Sequence, residues 1–498
     1  MNVNPITRLD YPDPDVIRVE DTYYMVSTTM HFMPGCEILQ SFDLVHWEHA
    51  TYVYETLDHT DAQQLKSGQN IYGQGMWAAS LRYHEGRFYI CFVANDTRKT
   101  YLYTSEKIDG PWKKQLIEGF YHDGSLLFDE DGRNYIVYGN DEIWITELNE
   151  DLTAPKKDGL HRLLVSDHKN PELGYEGSHI QKINGYYYIF LIHSLRDRWM
   201  RTEACFYSDS LEGEFTGGDV LCDDRGYCGQ GVAQGGIVDT PDGKWYAMLF
   251  QDSGAVGRIP ILVPVTWKDH FPFFGQNGHV PEEIEVHSTR PGYIYQPLVG
   301  SDDFCNGLLP CWQFNHDPDP RYYHLDALQG TYTITTREVC TELTQAVNTL
   351  TQRMSYPSCA AEVTVDASAL KEGDVAGLCA LQSCYAAVGI TKHHGKYEVL
   401  MLDKKEDGIL DMTERTVVES HQMDFRLEAD FCNMKDEARC YYRVNKGDWL
   451  PIGTVHKLYF KLDHFTGCRF GLFCYAAEET GGSACFRDFK YYDVDEIS

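Results

Sequence analysis

The chain of 498 residues carries 75 acidic against 43 basic side chains, a formal net charge of −32. That balance repels phosphate backbones and anionic membranes, which excludes nucleic-acid and membrane partners and leaves neutral ligands such as sugars. With 43% hydrophobic and 13% aromatic residues, 34 tyrosines and 42 glycines, its length fits two large β domains.

The first half repeats a short pattern five times: Asp or Gly, two residues, then Tyr, with a strand-like apolar run on either side. The tyrosines are Tyr24, Tyr89, Tyr135, Tyr188 and Tyr246, spaced 46 to 65 residues apart. That period predicts sheets of four strands set around an axis, the blades of a β-propeller. Counting back eleven residues from Tyr24, and twelve from each of the others, gives Asp13, Trp77, Asp123, Glu176 and Gln234. Each stands at the start of a blade's first strand. Those starts converge at one mouth of the channel, so three carboxylates, a large aromatic and an amide are expected to face one funnel.

In blade 1, Asp13 lies between Pro12 and Pro14, which hold its backbone stiffly. The aromatic loop Met30-His31-Phe32-Met33-Pro34-Gly35 follows. Blade 2 presents Trp77 among small residues, a ring suited to stacking on a sugar face. Blades 3 and 4 open with Asp123-Gly124-Ser125 and Glu176-Gly177-Ser178, where the glycine after each acid is expected to leave room for a ligand. Blade 5 carries Gln234 between small residues, and then Arg258 ahead of an apolar run. Arg258 is a candidate for holding a carboxylate or a sugar hydroxyl.

The boundary is placed by loss of strand pattern and two prolines: a propeller over 1–290, a linker over 291–301 and a second domain over 302–498. The second domain alternates apolar and polar residues at 330–336, 360–366, 397–403, 425–431 and 439–444, with a hairpin turn at Asn445-Lys446-Gly447. No helix-length periodicity occurs, so the chain is read as all-β, with a β-sandwich following the propeller. Sixteen cysteines are scattered without a CxxC pair, and no spaced Cys/His set offers a zinc site. Reduced thiols, and an N-terminus without a charged-then-apolar leader, point to a cytoplasmic protein.

Four motifs together, Pro12-Asp13-Pro14-Asp15, Trp77-Ala78-Ala79-Ser80, Asp123-Gly124-Ser125-Leu126 and Glu176-Gly177-Ser178-His179, resemble glycoside hydrolase family 43. That resemblance implies a five-bladed propeller of inverting glycosidases, and residues 302–489 resemble the concanavalin-like (jelly-roll) sandwich of its two-domain β-xylosidases. It implies Asp13 as general base, Glu176 as general acid and Asp123 as the carboxylate that tunes and orients the acid. It also implies Trp77 and Phe32 as pocket walls, and Arg258 beside the terminal sugar. Phe465, in His464-Phe465-Thr466-Gly467, matches the sandwich loop that closes the pocket. Gln234 joins the substrate-binding set, but it stands where the family often has a histidine near a channel metal. No metal is therefore assigned; a channel calcium ion is allowed by the family but has no support in the sequence, and no cofactor is required. The expected activity is exo-acting release of terminal β-D-xylose or α-L-arabinofuranose from short oligosaccharides, with homo-oligomers allowed. The alternative is a non-catalytic carbohydrate-binding protein, which would have no need of opposed carboxylates.

Overall fold

The computed structural model describes residues 3–493, and among them every regular element is a strand or a short 3-10 turn. Five sheets form the blades of a propeller. Their first strands are Asp15–Val19, Met76–His84, Ser125–Phe128, Glu176–Ile183 and, in blade 5, the pair Val232–Ala233 and Ile237–Asp239. The repeated tyrosines all fall on the second strand of a blade, in Thr22–Val26, Arg87–Ala94, Asn134–Asn140, Tyr186–Ser194 and Trp245–Asp252.

The ring closes mainly through apolar packing between neighbouring blades, with backbone bonds from Ile6 to Pro260 and from Tyr11 to Arg258 tying the N-terminal segment to blade 5. Leu81 and Ile90 of blade 2 bury against Val26 and Ile38 of blade 1. Similar apolar clusters join blades 2 and 3, 3 and 4, and 4 and 5. The last seam sets Met248 and Leu262 of blade 5 on Met25 and Leu39 of blade 1. Each blade thus covers both faces of its sheet, which is what makes an isolated four-stranded unit stable.

The channel itself is filled by charge. Arg82 donates to Asp15 Oδ2 of blade 1 at 2.7 Å, to Ser125 Oγ of blade 3 at 2.6 Å and to the carbonyl of Ile180 in blade 4 at 3.2 Å. His179 Nδ1 lies 3.1 Å from Asp15 Oδ1. A guanidinium bridging four first strands leaves a cation placed there facing another cation, so these residues do not fit a channel calcium ion.

The last propeller strand is Phe271–Phe274. The chain after it straps across blade 1, where Tyr293 and the Gln296 amide both donate to Glu48. The second domain packs an eight-stranded sheet on a seven-stranded one around one large apolar core. The expected strands occur as Thr331–Thr335, Ser358–Asp366, Lys396–Lys404, Gln422–Asp430 and Glu437–Arg443.

The domains share backbone. Phe32–Met33, in the blade 1 loop, pairs with Gln313–Asn315 and so becomes the edge strand of the sandwich's larger sheet. Beside it the buried Arg353 reaches Glu37 Oε2 at 2.8 Å and stacks on Tyr11. Burial alone would raise the Glu37 carboxyl, but the Arg353 charge holds it down to about 2. His31, Tyr72, His316 and His464 form an aromatic cluster between the domains, with ring centroids 4.6 to 5.0 Å apart.

Candidate active site

Four of the five first-strand starts share one backbone device. Asp13, Asp123 and Gln234 have φ of 54°, 47° and 63°, and Gly177, after Glu176, has φ of 62°. In these four blades a left-handed residue turns the chain sharply from the rim into the blade. The resulting bend brings the side chains to one mouth.

Asp13 is buried. Thr28 Oγ1 donates to its Oδ2 at 2.6 Å and Arg258 Nη1 to its Oδ1 at 3.0 Å. Arg258 opens the strand Arg258–Lys268, and its amide donates to Asp10 Oδ1. The other oxygen of Asp10 accepts from the Gly467 amide, which ties the sandwich loop to the same corner. Phe465 follows from that tie. Its ring lies 4.5 Å from the Arg258 guanidinium and 5.6 Å from Trp77. Counting gave Trp77, the blade 5 sequence offered Arg258 and the family resemblance offered Phe465, and the structure brings the three together; Asp10 was missed.

On the opposite side, Asp123 accepts from the Gly177 amide at 3.0 Å, while Ser178 Oγ donates to the Asp123 carbonyl. These bonds lock the blade 4 entry onto the blade 3 entry. Glu176, partly exposed, accepts at Oε2 from Asn140 Nδ2 at 2.7 Å. His122 lies between the acids, its Nε2 3.6 Å from Asp123 Oδ2 and 3.5 Å from Glu176 Oε2. Its ring meets Trp77 edge-on at 5.8 Å. A continuous run of contacts therefore joins Asp13, Arg258, Phe465, Trp77, His122 and the two further acids.

The charges are coupled. Burial, joined by the Glu176 and Asp13 charges and opposed by His122, pushes the Asp123 carboxyl up to about 6. Burial works against the His122 charge, but Asp123, Glu176 and Asp13 outweigh it and raise the imidazolium to about 9. Among the described residues, His122, Asp123 and Glu176 form the one group of side chains near enough to close on a metal ion. With an imidazolium as one member, the set is read as proton-handling.

Two expectations require correction. Phe32 is no pocket wall: it is fully buried among Leu343, Tyr385 and Phe473 of the sandwich, with Arg469 3.5 Å over its ring. Its backbone pairing into the sandwich fixes it there. The glycines after the acids make room for protein. A Cβ on Gly177 would come within 2.7 Å of the Gln234 side chain, and one on Gly124 within 3.0 Å of the Tyr121 carbonyl. Gln234 is accordingly buried beside Gly177, its backbone N–H donating to Glu203 Oε2 at 2.7 Å. Burial holds the Glu203 carboxyl well above its ordinary range.

A propeller mouth with three carboxylates on facing blades, an aromatic floor and a buried arginine is the machinery of a glycoside hydrolase. The chain belongs to glycosyl hydrolases family 43, whose pattern matches residues 3–272; residues 301–492 match the β-xylosidase C-terminal concanavalin A-like domain. A β-xylosidase of Formosa agariphila is 27% identical across 99% of this chain and 89% of its own length. A non-reducing end α-L-arabinofuranosidase of Bacteroides ovatus is 24% identical over 82% of this chain and 79% of its own. Among solved structures, a bifunctional GH43-CE protein of Bacteroides eggerthii superposes with TM-score 0.92 at 42% identity over 99% of this chain. This chain spans 64% of that longer protein.

Proposed function

We propose that the chain is an inverting, exo-acting glycosidase that removes a terminal pentose, β-D-xylose or α-L-arabinofuranose, from xylo- or arabino-oligosaccharides. The observation that carries this reading is the continuous run of contacts from Asp13 through Arg258, Phe465, Trp77 and His122 to Glu176 and Asp123. Phe465 supports exo action, because a sandwich loop set against Trp77 and Arg258 caps one side of the mouth. The β-xylosidase and arabinofuranosidase relatives support a pentose.

In this reading Asp13 takes a proton from water as the water oxygen bonds to the anomeric carbon. The glycosidic bond breaks in the same step, and Glu176 gives its proton to the departing oxygen. Asp123 holds the Glu176 turn through the Gly177 amide. Sixteen cysteines without a disulfide suit a reducing compartment, and the cytoplasm is the setting we propose.

The test is turnover of nitrophenyl β-D-xyloside and nitrophenyl α-L-arabinofuranoside, with NMR of the first-formed sugar. Release of the opposite anomer supports the reading; retention of configuration, or no turnover of either, overturns it. Glu176→Gln is expected to lose most on unactivated oligosaccharides, and near-normal turnover of those would remove its role as acid.

A further inference from the structure

Glu176 offers two carboxyl oxygens, and their surroundings differ. Oε2 receives the Asn140 amide at 2.7 Å and faces His122 Nε2 at 3.5 Å, a buried nitrogen that also faces Asp123 Oδ2 at 3.6 Å and makes no hydrogen bond of ordinary length among the described residues. Among the described residues, Oε1 meets no donor within hydrogen-bonding distance. A carboxylic proton on Oε2 would point at two N–H groups and could satisfy neither. Buried polar groups are rarely left in that state.

We propose that Asn140 and His122 are positioning residues that keep Oε2 an acceptor, so that the proton Glu176 delivers sits on Oε1, the oxygen left to meet the leaving group. The inference deepens the glycosidase reading and rests on Glu176 being its acid. Nothing in the first-strand repeat points to either residue. Asn140 ends the second strand of blade 3, and His122 stands one place before Asp123.

The chemistry explains why donors are needed on that side. Both lone pairs on Oε1 and Oε2 compete for one proton, and rotation of the carboxyl would exchange the two oxygens. An amide and an imidazole N–H anchored on different parts of blade 3 oppose that rotation. His122 keeps its N–H donors at neutral pH because the surrounding Asp123, Glu176 and Asp13 charges raise it to about 9. Trp77, edge-on to the His122 ring, limits the ring's freedom to swing away.

The test compares leaving groups. On whichever pentoside the wild type cleaves, kcat/KM is measured for the 2,4-dinitrophenyl and the unsubstituted phenyl glycosides in Asn140→Ala, His122→Leu and His122→Gln, with Glu176→Gln as reference. The dinitrophenolate leaves without a proton, so its turnover reports fold and binding. The phenyl glycoside needs the acid. Asn140→Ala and His122→Leu are expected to lose about 30- to 100-fold on the phenyl substrate and under about threefold on the dinitrophenyl one, in the range of general-acid contributions. His122→Gln, which keeps an N–H donor, is expected to recover most of the loss. Equal losses on both substrates would mean a merely structural role and overturn the proposal, as would no loss on either. If Glu176→Gln itself shows no leaving-group dependence, the acid assignment is what has failed, and the positioning role falls with it.

Discussion

His122 is half-buried and His464 fully buried, and the touching rings of Trp77 and Phe465 link their neighbourhoods, yet their chemistry is opposite. His122 stands among Asp123, Glu176 and Asp13, whose charges overcome burial and raise it to about 9. His464 stacks on Tyr72 and meets His31 edge-on, with no carboxylate to hold it, and burial followed by the Arg469 charge drives it down to about 3. His31 and His316 are pushed well below their ordinary value for the same first cause. Burial is common to the two sites; the sign of the shift is decided by the charge a neighbour supplies. One cluster is therefore built to hold protons near neutral pH, and the other to refuse them.

The largest expected effect breaks the first half of that contrast. Asp123→Asn should cut kcat/KM by about 100-fold or more, since the carboxylate that orients Glu176 is gone. The same change should stabilise the fold. A carboxyl raised from 3.8 to about 6 costs nothing below 3.8; the penalty grows as pH climbs towards 6 and is complete above it. At pH 7 that penalty alone is about 3 kcal/mol, and the net gain is smaller because His122 loses the Asp123 charge that helps hold it protonated. An unchanged or lower melting temperature at pH 7 would show that Asp123 is not held at such cost.

The second effect carries the opposite sign. Unfolded histidine takes up a proton near 6.5, whereas folded His464 stays neutral to about 3, so stability is full above 6.5 and falls as the pH drops. At pH 5 His464 alone should cost about 2 kcal/mol, with His31 and His316 pulling the same way. Urea unfolding at pH 7 and pH 5 measures this, and His464→Phe should flatten the difference. Equal stability of the wild type at the two pH values would contradict a neutral, dry cluster.

How much of this could be read from the chain varies with distance along it. The five first-strand starts were legible because each blade repeats nearly the same spacing to its tyrosine, and a left-handed residue at or next to that point serves the same turn in blades 1, 3, 4 and 5. Phe32 misled because the family resemblance matched it to a pocket-wall aromatic; its true partner, Gln313–Asn315, lies some 280 residues away and leaves no local signal. Gly177 misled similarly, since the side chain that needs its space is Gln234. His122 and Asn140 fall outside a method that takes one position per blade. Their meaning arises only when blade 3 is set against Glu176 of blade 4.

Phe465 lies where the two clusters meet, and its removal should give a smaller, specific effect. Phe465→Ala deletes the ring that lies over Arg258 and is tilted against Trp77, and opens the capped side of the mouth. Loss of a cation–π contact of about 1–2 kcal/mol predicts a KM increase of roughly 10-fold with kcat less affected. A fall in kcat alone would place the ring's contribution in the chemical step instead of in binding.

The smallest effect expected is none at all, and it tests the charge logic furthest from the mouth. The channel beneath the acids holds the Arg82 guanidinium against Asp15, whose carboxyl is lowered because Arg82, with His179, outweighs the penalty of burial. An ion pair already satisfying that carboxylate leaves a divalent cation no anionic vacancy and a like charge to oppose. Treatment with a chelator should therefore change neither melting temperature nor turnover. If turnover falls and calcium restores it, the cation must sit elsewhere, and His122, Asp123 and Glu176 would be the first group to re-examine. In that event His122 could not remain an imidazolium beside the ion, and its contrast with His464 would become one between a metal ligand and a packed ring.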